Sequence, residues 1–314
     1  MRRSPYGMIE TPERGKLREG LSFGYVDVPE TITPEGRPFL DTLTEASLAL
    51  QKRIRRGKEI AIKTEDVIVD GLRVRVYIPD ADGPKPMAMY YHGGGFAIRD
   101  VECYDYIGRY LAFYSGAVLF MPDYDLCPER KFPVQLEQAY AALLWARGQG
   151  SFTSDFVIGD SAGGNLAAAV SLLCRDRGRK VPRGQILAYP CLDMRIDVKR
   201  ESVLLYGKGY NLDAKHLISY DKAYVDRLSD LEDPYASPLL APSLTGLPPC
   251  LMLSAECDVL VDQGMEYLKR LKDAGVPVRY KIFHGVPHDF LFFDYPESYA
   301  AYEMICRFIH DANP

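Results

Sequence analysis

The chain has 314 residues, 47% of them hydrophobic, and carries a formal net charge of −5. This apolar content suffices for a large packed core, and the mild negative charge excludes the basic footprint of a nucleic-acid-binding protein. No apolar run reaches the roughly 20 residues that a membrane-spanning helix needs, so we expect no membrane association. No apolar stretch follows the two N-terminal arginines, so the sequence does not predict a secretory signal peptide.

The seven cysteines are scattered singly along the chain and include no CxxC pair. This usage predicts reduced, mostly buried thiols in a cytoplasmic protein, because disulfides are rare in reducing compartments. The spacing does not suggest a metal site. The cysteines are Cys103, Cys127, Cys174, Cys191, Cys250, Cys257 and Cys306.

The predicted elements follow one another in a regular order after a charged N-terminal part. Residues 1–50 are interrupted by Pro and Gly, and the pattern becomes helical around residues 39–56. Alternation of apolar and polar residues on both sides of Gly71 then predicts a β-hairpin over residues 65–77. Short apolar runs beyond it alternate with helical segments. The runs predict strands at residues 87–91, 117–121, 156–159, 185–189, 250–254 and 278–283, and the helical segments lie at 104–114, 134–146, 163–175, 263–274 and 297–310.

The alternation of uniformly apolar strands with helices predicts the fold class. Strands that are buried on both faces are typical of a parallel sheet covered by helices. We therefore expect an α/β fold with a mostly parallel, eight-stranded sheet flanked by helices. A polar, tyrosine-rich and helical stretch interrupts this rhythm between Leu192 and Pro248. An insertion of this length is usually functional, and we interpret it as a lid.

The strongest chemical signal is the sequence Gly159-Asp160-Ser161-Ala162-Gly163, a G-x-S-x-G motif between a predicted strand and a predicted helix. Glycines at these positions permit a sharp strand-to-helix turn that strains the serine backbone and lifts its Oγ clear of the sheet. The start of the helix directs backbone N–H groups outward beside it. The motif predicts that Ser161 is a nucleophile.

A second signal, His92-Gly93-Gly94-Gly95, follows the strand predicted at residues 87–91. Successive glycines let bare N–H groups approach a ligand, as an oxyanion hole requires. We assign the N–H groups of Gly93 and Gly94 to this role, together with that of Ala162. A phosphate-binding loop is the weaker reading, because neither Lys-Ser/Thr nor GxGxxG spacing follows. The His92 side chain is interpreted as an anchor of the loop, with a role as catalytic base as the alternative.

A nucleophilic serine needs a base, and the base needs an acid to orient it, in the chain order Ser, Asp or Glu, His. Four histidines follow Ser161. His216 lies in the predicted lid and His310 near the end of the last helix. We favour His288, because a loop beyond the last strand can carry its side chain over the sheet. His284, at the predicted strand end, remains an alternative base.

The acid is expected to follow the strand predicted at residues 250–254. The candidates are Glu256, Asp258 and Asp262. Asp258 is favoured because its loop then turns into a helix. Asp262 falls in the first helical turn, where acidic residues are common because of the helix dipole alone.

Together these features resemble the hormone-sensitive lipase family, also called bacterial family IV esterases. The resemblance rests on HGGGF at 92–96 and GDSAGG at 159–164, and on YDLCPE at 124–129, which is similar to the family's Y-R-L-A-P-E segment. It extends from about Tyr77 to the C-terminus and implies the α/β-hydrolase fold. Carried over by position, it implies a catalytic triad of Ser161, Asp258 and His288. It also implies oxyanion donors at Gly93, Gly94 and Ala162.

The resemblance also implies a domain organisation. Residues 1–50 and 193–246 correspond to the family's helical cap, and residues 51–192 and 247–314 to the α/β-hydrolase catalytic domain. The sequence departs from the family around the acid, with Val259 after Asp258, and around the base, with Asp289 after His288. The additional carboxylate of Asp289 is expected to raise the pKa of His288 or to contact the lid.

We therefore expect a serine carboxylesterase that forms an acyl-enzyme and needs no metal or organic cofactor. The charged, tyrosine-rich lid lacks the apolar surface of a true lipase, which favours short, acetyl-like acyl chains of about C2 to C6. The expected partner is a small-molecule ester, and the resemblance adds a homodimer through the C-terminal strand and helix. The alternatives are an amidase or peptidase with the same triad, and a ligand-binding protein on the hydrolase fold.

Overall fold

The computed structural model of the protein describes residues 28–80, 82–196 and 199–312. A single eight-stranded sheet runs through these residues in the order β1-β2-β4-β3-β5-β6-β7-β8. Its strands are β1 (Lys63–Val69), β2 (Leu72–Ile78), β3 (Met87–Tyr91), β4 (Val118–Pro122), β5 (Asp155–Asp160), β6 (Gly184–Ala188), β7 (Cys250–Cys257) and β8 (Val278–Pro287).

Helices connect most of these strands. In the described residues they are α1 (Arg37–Ile54), α2 (Asp105–Ser115), α3 (Val134–Arg147), α4 (Ala162–Asp176), α5 (Glu201–Tyr206), α6 (Ala214–Tyr224), α7 (Val261–Asp273) and α8 (Pro296–Ala312). None of the helices in the described ranges is long and apolar enough to cross a membrane.

The sheet is antiparallel only at one edge. β2 pairs antiparallel with β1 and with β4, and every other pairing is parallel. All residues of β3, β5, β6 and β7 are buried, which explains why these strands are mostly apolar instead of alternating. The carboxyl ends of parallel strands meet at one edge of the sheet. The segments that follow β3, β5, β7 and β8 are therefore brought together there.

The predicted fold class is confirmed, and two strands continue three or more residues beyond their predicted ends. β7 continues to Cys257 and β8 to Pro287. A β-bulge between Ala255 and Cys257 allows this extension, because pairing resumes at Cys257 and Pro287 beyond it. His284 consequently lies within β8, and His288 directly follows it. The glycine and proline near the end of β8 indicated a loop, but the bulge accommodates them within the strand.

The insertion between β6 and β7 contains α5 and α6, and no strand lies in its described residues. Tyr220 of α6 packs on the backbone of Gly95, so that a side chain on Gly95 would overlap the tyrosine ring. Tyr224, one turn further, stacks on Phe96 with ring centroids 3.9 Å apart. The insertion therefore lies against the glycine-rich loop after β3. Residues 1–27, which belong to the predicted N-terminal part of the cap, lie outside the described residues.

Candidate active site

Ser161 occupies a strained turn between β5 and α4. Its backbone has φ 54° and ψ −118°, a left-handed region that non-glycine residues rarely adopt. Glycines on both sides permit this turn. A Cβ atom on Gly159 would overlap the carbonyl group of Gly163, and one on Gly163 would overlap the carbonyl oxygen of Tyr91. The G-x-S-x-G pattern thus corresponds to a backbone that only glycine allows at these two positions.

The structure brings Ser161 together with His288 and Asp258. His288 Nε2 lies 2.8 Å from Ser161 Oγ, and His288 Nδ1 lies 2.7 Å from Asp258 Oδ2. Asp258 Oδ1 also accepts the N–H of Leu260 at 2.9 Å, which fixes the carboxylate. His288 and Asp258 are buried, with 3% and 1% of their surface exposed. The three side chains form a continuous hydrogen-bonded chain from hydroxyl to carboxylate.

The carboxylates around His288 favour its protonated form. Burial alone would lower the pKa of His288, but the charge and hydrogen bond of Asp258 and the charge of Asp289 outweigh it, and the pKa is raised. Asp289 Oδ1 lies 3.8 Å from His288 Nε2. Asp289 stays ionised because Arg99, at 2.8 Å, lowers its pKa despite a burial that would raise it. The sequence had left open whether Asp289 influences His288, and the two groups are in fact adjacent.

The assignment of Gly93 as an oxyanion donor is contradicted by the structure. The Gly93 N–H donates to Asp160 Oδ1 and to the hydroxyl of Tyr104, each at 3.1 Å. Asp160 is fully buried and also accepts the hydroxyl groups of Tyr90 at 2.9 Å and Tyr104 at 2.8 Å. A buried carboxylate needs such donors. The Gly93 N–H is therefore used to hold the loop and does not face the serine.

The next two glycines of the loop differ from Gly93 in their position relative to the cavity. Gly94 and Gly95 both line the cavity in front of Ser161, as does Ala162. The φ values of Gly94 and Gly95 are 121° and 60°, in the region that favours glycine. Side chains there would overlap the carbonyl oxygen of Ile98 and the ring of Tyr220. The prediction for Gly93 failed because the partner of its N–H group is not visible in the sequence.

The alternative acids and bases considered from the sequence lie apart from Ser161. His284 has 55% of its side chain exposed, and its Nδ1 contacts Glu256 Oε2 at 3.1 Å. Asp262 accepts the N–H of Ser202 at 2.8 Å. His92 is buried and stacks on Tyr124, with ring centroids 4.3 Å apart. Its Nδ1 lies 2.8 Å from the carbonyl oxygen of Gly93, which ties the ring to the glycine-rich loop.

A cavity of about 550 Å³ opens in front of the serine. Its size is typical of small-molecule sites. Its walls come from α1, the glycine-rich loop, α6 and the segment after β8. The residues that reach it include Leu43, Ser47, Arg99, Met194, Leu217, Asp221 and Phe292. Sequence reasoning missed Arg99 and Asp221, because neither lies in a motif.

Comparisons with known proteins show the family to which the chain belongs. A family model described as alpha/beta hydrolase fold matches residues 88–292. The carboxylic ester hydrolase LipN of Mycobacterium tuberculosis is 35% identical over 253 residues, which cover 75% of this chain and 66% of that protein. The chain thus spans about two thirds of that relative's length. An ethyl acetate hydrolase of Pseudomonas putida is 36% identical over 229 residues, covering 70% of this chain and 71% of that protein.

A solved structure extends the likeness to the fold. The crystal structure of EstE1, a thermophilic carboxylesterase cloned from a metagenomic library, superimposes with a TM-score of 0.83. The two chains are 34% identical, and the match covers 90% of this chain and 98% of EstE1. The chain therefore belongs to the alpha/beta hydrolase family, in the hormone-sensitive lipase group that its motifs resemble. It is a carboxylic ester hydrolase, as the sequence predicted.

Proposed function

We propose that this esterase hydrolyses short-chain, acetyl-like carboxylic esters through a Ser161–His288–Asp258 triad and an acyl-enzyme. The observation that carries the proposal is the hydrogen-bonded chain from Ser161 Oγ through His288 to Asp258, with distances of 2.8 and 2.7 Å. These distances lie within the range in which a base can take a proton from its nucleophile.

The reaction follows from the roles of the three side chains. Ser161 Oγ attacks the ester carbonyl carbon while its proton passes to His288 Nε2, and Asp258 stabilises the resulting imidazolium. His288 then gives this proton to the departing alcohol, which leaves an acyl group on Ser161. Water attacks the acyl carbon and passes a proton to His288, which returns it to Ser161 Oγ as the carboxylic acid leaves.

The oxyanion formed in each half-reaction needs donors that the rest of the chain does not use. We assign these to the N–H groups of Gly94, Gly95 and Ala162, which border the cavity beside Ser161. Ala162 begins α4, so its N–H is one of the groups that a helix leaves without an acceptor. The preorganised dipoles stabilise negative charge as it develops on the carbonyl oxygen.

A cap over the catalytic domain accounts for the preference for short chains. We assign residues 1–50 and 193–246 to the cap, and residues 51–192 and 247–314 to the catalytic domain. α1 and α6 contribute side chains to the cavity wall, which supports this division. A cavity of about 550 Å³ suits a small ester. The name of the ethyl acetate hydrolase from Pseudomonas putida also favours a small acyl group.

A chain-length series with purified protein tests this function. Wild type and Ser161→Ala are compared on p-nitrophenyl esters from acetate to dodecanoate, and on the amide that matches the best ester. We expect kcat/KM to be largest for acyl chains of about C2 to C6, and Ser161→Ala to lower kcat at least about 10³-fold. A maximum at long chains contradicts the short-chain preference. Comparable amide hydrolysis indicates an amidase, and binding without turnover indicates a ligand-binding protein.

A further inference from the structure

A carboxyl group in the cavity wall has no role in the triad. It belongs to Asp221 on α6, and only 5% of the surface of this residue is exposed. His216, Leu217 and Tyr220 line the same cavity from the same helix, spaced so that they share one face with Asp221. That face is turned to the cavity and the glycine-rich loop, whereas Lys222 next to Asp221 is exposed.

The position of Asp221 is close to the nucleophile. Asp221 lines the cavity together with Cys191, and after burial its charge is the largest influence that raises the pKa of the Cys191 thiol. The N–H of Cys191 donates to the carbonyl oxygen of Ser161 at 3.1 Å. Cys191, Ser161 and Asp221 all border the same cavity. A small ester held at Ser161 is therefore within reach of the Asp221 carboxyl group.

The cations near the cavity are engaged by other carboxylates. Arg99 contacts Asp289 at 2.8 Å, and Arg200 contacts Asp193 at 2.8 Å. In the part of the chain that the structure describes, neither a hydrogen-bond donor nor a cation contacts the side-chain oxygens of Asp221. Burial and repulsion from Asp193 raise the pKa of Asp221 well above that of an ordinary aspartate. Burying a carboxyl group without a partner is costly, and such groups cluster at functional sites.

We propose that Asp221 is a specificity-determining residue that accepts a hydrogen bond from a donor group carried by the ester substrate, either a hydroxyl or a protonated amine. The inference rests on the proposed esterase function and narrows its substrate class. The substrate then supplies the partner that the carboxyl oxygens lack. A site built to bind a polar group discriminates strongly against an analogue without it, because its own polar atoms are left unsatisfied.

The test compares polar esters with apolar analogues on both sides of the ester bond. On the alcohol side, 2-hydroxyethyl butyrate and 2-(dimethylamino)ethyl butyrate are compared with propyl butyrate. On the acyl side, ethyl 3-hydroxybutyrate and ethyl 4-(dimethylamino)butyrate are compared with ethyl butyrate. The measured quantity is the ratio of kcat/KM for each polar ester to kcat/KM for its apolar analogue. Differences in intrinsic ester reactivity cancel when this ratio is compared between variants.

The variants are Asp221→Leu, Asp221→Ala and Asp221→Asn, with Lys222→Ala on the exposed side of the same helix as the matched control. We expect the ratio for at least one polar ester to fall roughly tenfold or more in the leucine and alanine variants, because the donor group of the substrate is then buried without an acceptor. Lys222→Ala should keep the wild-type ratio. Asp221→Asn separates the donors, because an amide oxygen still accepts from a hydroxyl but does not balance an ammonium charge.

Folding of Asp221→Leu and Asp221→Ala is judged by the melting transition and by burst titration of the active sites with p-nitrophenyl acetate. The result is decisive for either variant that folds. Ratios equal to wild type for all polar esters, on both sides of the ester bond, overturn the role of Asp221. An equal loss on polar and apolar esters also overturns it, since it indicates a structural role. Failure of the wild-type protein to hydrolyse any of these esters instead contradicts the proposed function.

Discussion

At the residue scale, the proposed mechanism makes activity depend on the protonation state of His288. In the proposed triad, His288 must be neutral to accept the proton of Ser161. Burial alone would lower the pKa of His288, but Asp258 and Asp289 raise it. His288 is therefore protonated at higher pH than an ordinary histidine, whose pKa is 6.5. Activity should therefore be complete above the raised pKa and fall as the pH is lowered through it.

Asp289→Asn should move this acidic limb to lower pH. The substitution removes a negative charge 3.8 Å from His288 Nε2 and leaves the positive charge of Arg99 unbalanced, and both changes favour neutral imidazole. The check is the pH profile of kcat/KM on a non-ionising ester. Glu137→Gln is the control, because it removes a carboxylate that pairs with Arg177 on the protein surface. An unchanged limb in Asp289→Asn would show that this carboxylate does not act on the base.

The same scale shows what the sequence reveals about a site and what it conceals. The nucleophile, acid and base were predicted from their order along the chain, and Ser161, Asp258 and His288 do meet in space. The donor Gly93 was predicted wrongly, although the glycine run was recognised. Whether an N–H group faces the cavity or a buried carboxylate depends on tertiary contacts. The burial of Asp160, which also raises its pKa to about 6, became visible only with the fold.

At the element scale, the approach of α4 to β3 depends on one helical glycine. Gly163 lies where a Cβ atom would overlap the carbonyl oxygen of Tyr91, a backbone atom that cannot rotate away. Gly163→Ala should therefore lower the free energy of unfolding by roughly 1–3 kcal/mol, the usual cost of overpacking. It should also reduce kcat, because Gly163 lies two residues after Ser161 and a shift at the start of α4 displaces the serine. Chemical denaturation and ester hydrolysis measure the two effects.

Gly264→Ala is the matched control within α7. The nearest heavy atom to its Cβ would be Ser254 Oγ at 3.8 Å, an ordinary contact distance. Alanine has the higher helix propensity, so this variant should be stabilised by roughly 0.5–1 kcal/mol. Equal stability changes in the two variants would contradict the steric explanation for Gly163.

The boundaries of the elements were harder to predict than their existence. Apolar runs identified the strands β3 to β8 because strands buried on both faces require them. The ends of β7 and β8 were missed, since the bulge between Ala255 and Cys257 depends on pairing between strands. The helices of the insertion were recognised as helical, but nothing in their pattern indicated which face would meet the glycine-rich loop.

At the scale of the whole molecule, α1 is joined to the segment that follows the candidate base. Gln51 of α1 donates to the carbonyl oxygen of Phe292 at 2.5 Å, and Arg55, directly after the helix, donates to that of Phe293 at 3.1 Å. Arg55 also contacts Asp294 at 3.3 Å. Helix α1 and the residue after it therefore help to hold the segment that follows His288, although the two are far apart in the sequence.

Arg55→Ala should weaken this connection. It leaves buried carbonyl and hydroxyl groups without their donor, so we expect a loss of roughly 1–3 kcal/mol in the free energy of unfolding. Hydrogen exchange should increase in residues 288–295, and kcat should fall with it. Arg53→Ala, which removes an exposed arginine two residues earlier, should change neither quantity. Unaltered exchange in Arg55→Ala would show that α1 does not support this segment.

The central claim, that Ser161 carries the acyl group, is tested most directly by covalent trapping. The protein is incubated with an alkyl fluorophosphonate, which reacts with activated serine hydroxyls, and is then digested and mapped by mass spectrometry. The account predicts one adduct per chain, located on Ser161, with loss of ester hydrolysis in proportion to labelling, and no adduct in Ser161→Ala. An adduct on a different residue, or ester hydrolysis that persists after complete labelling of Ser161, would contradict it.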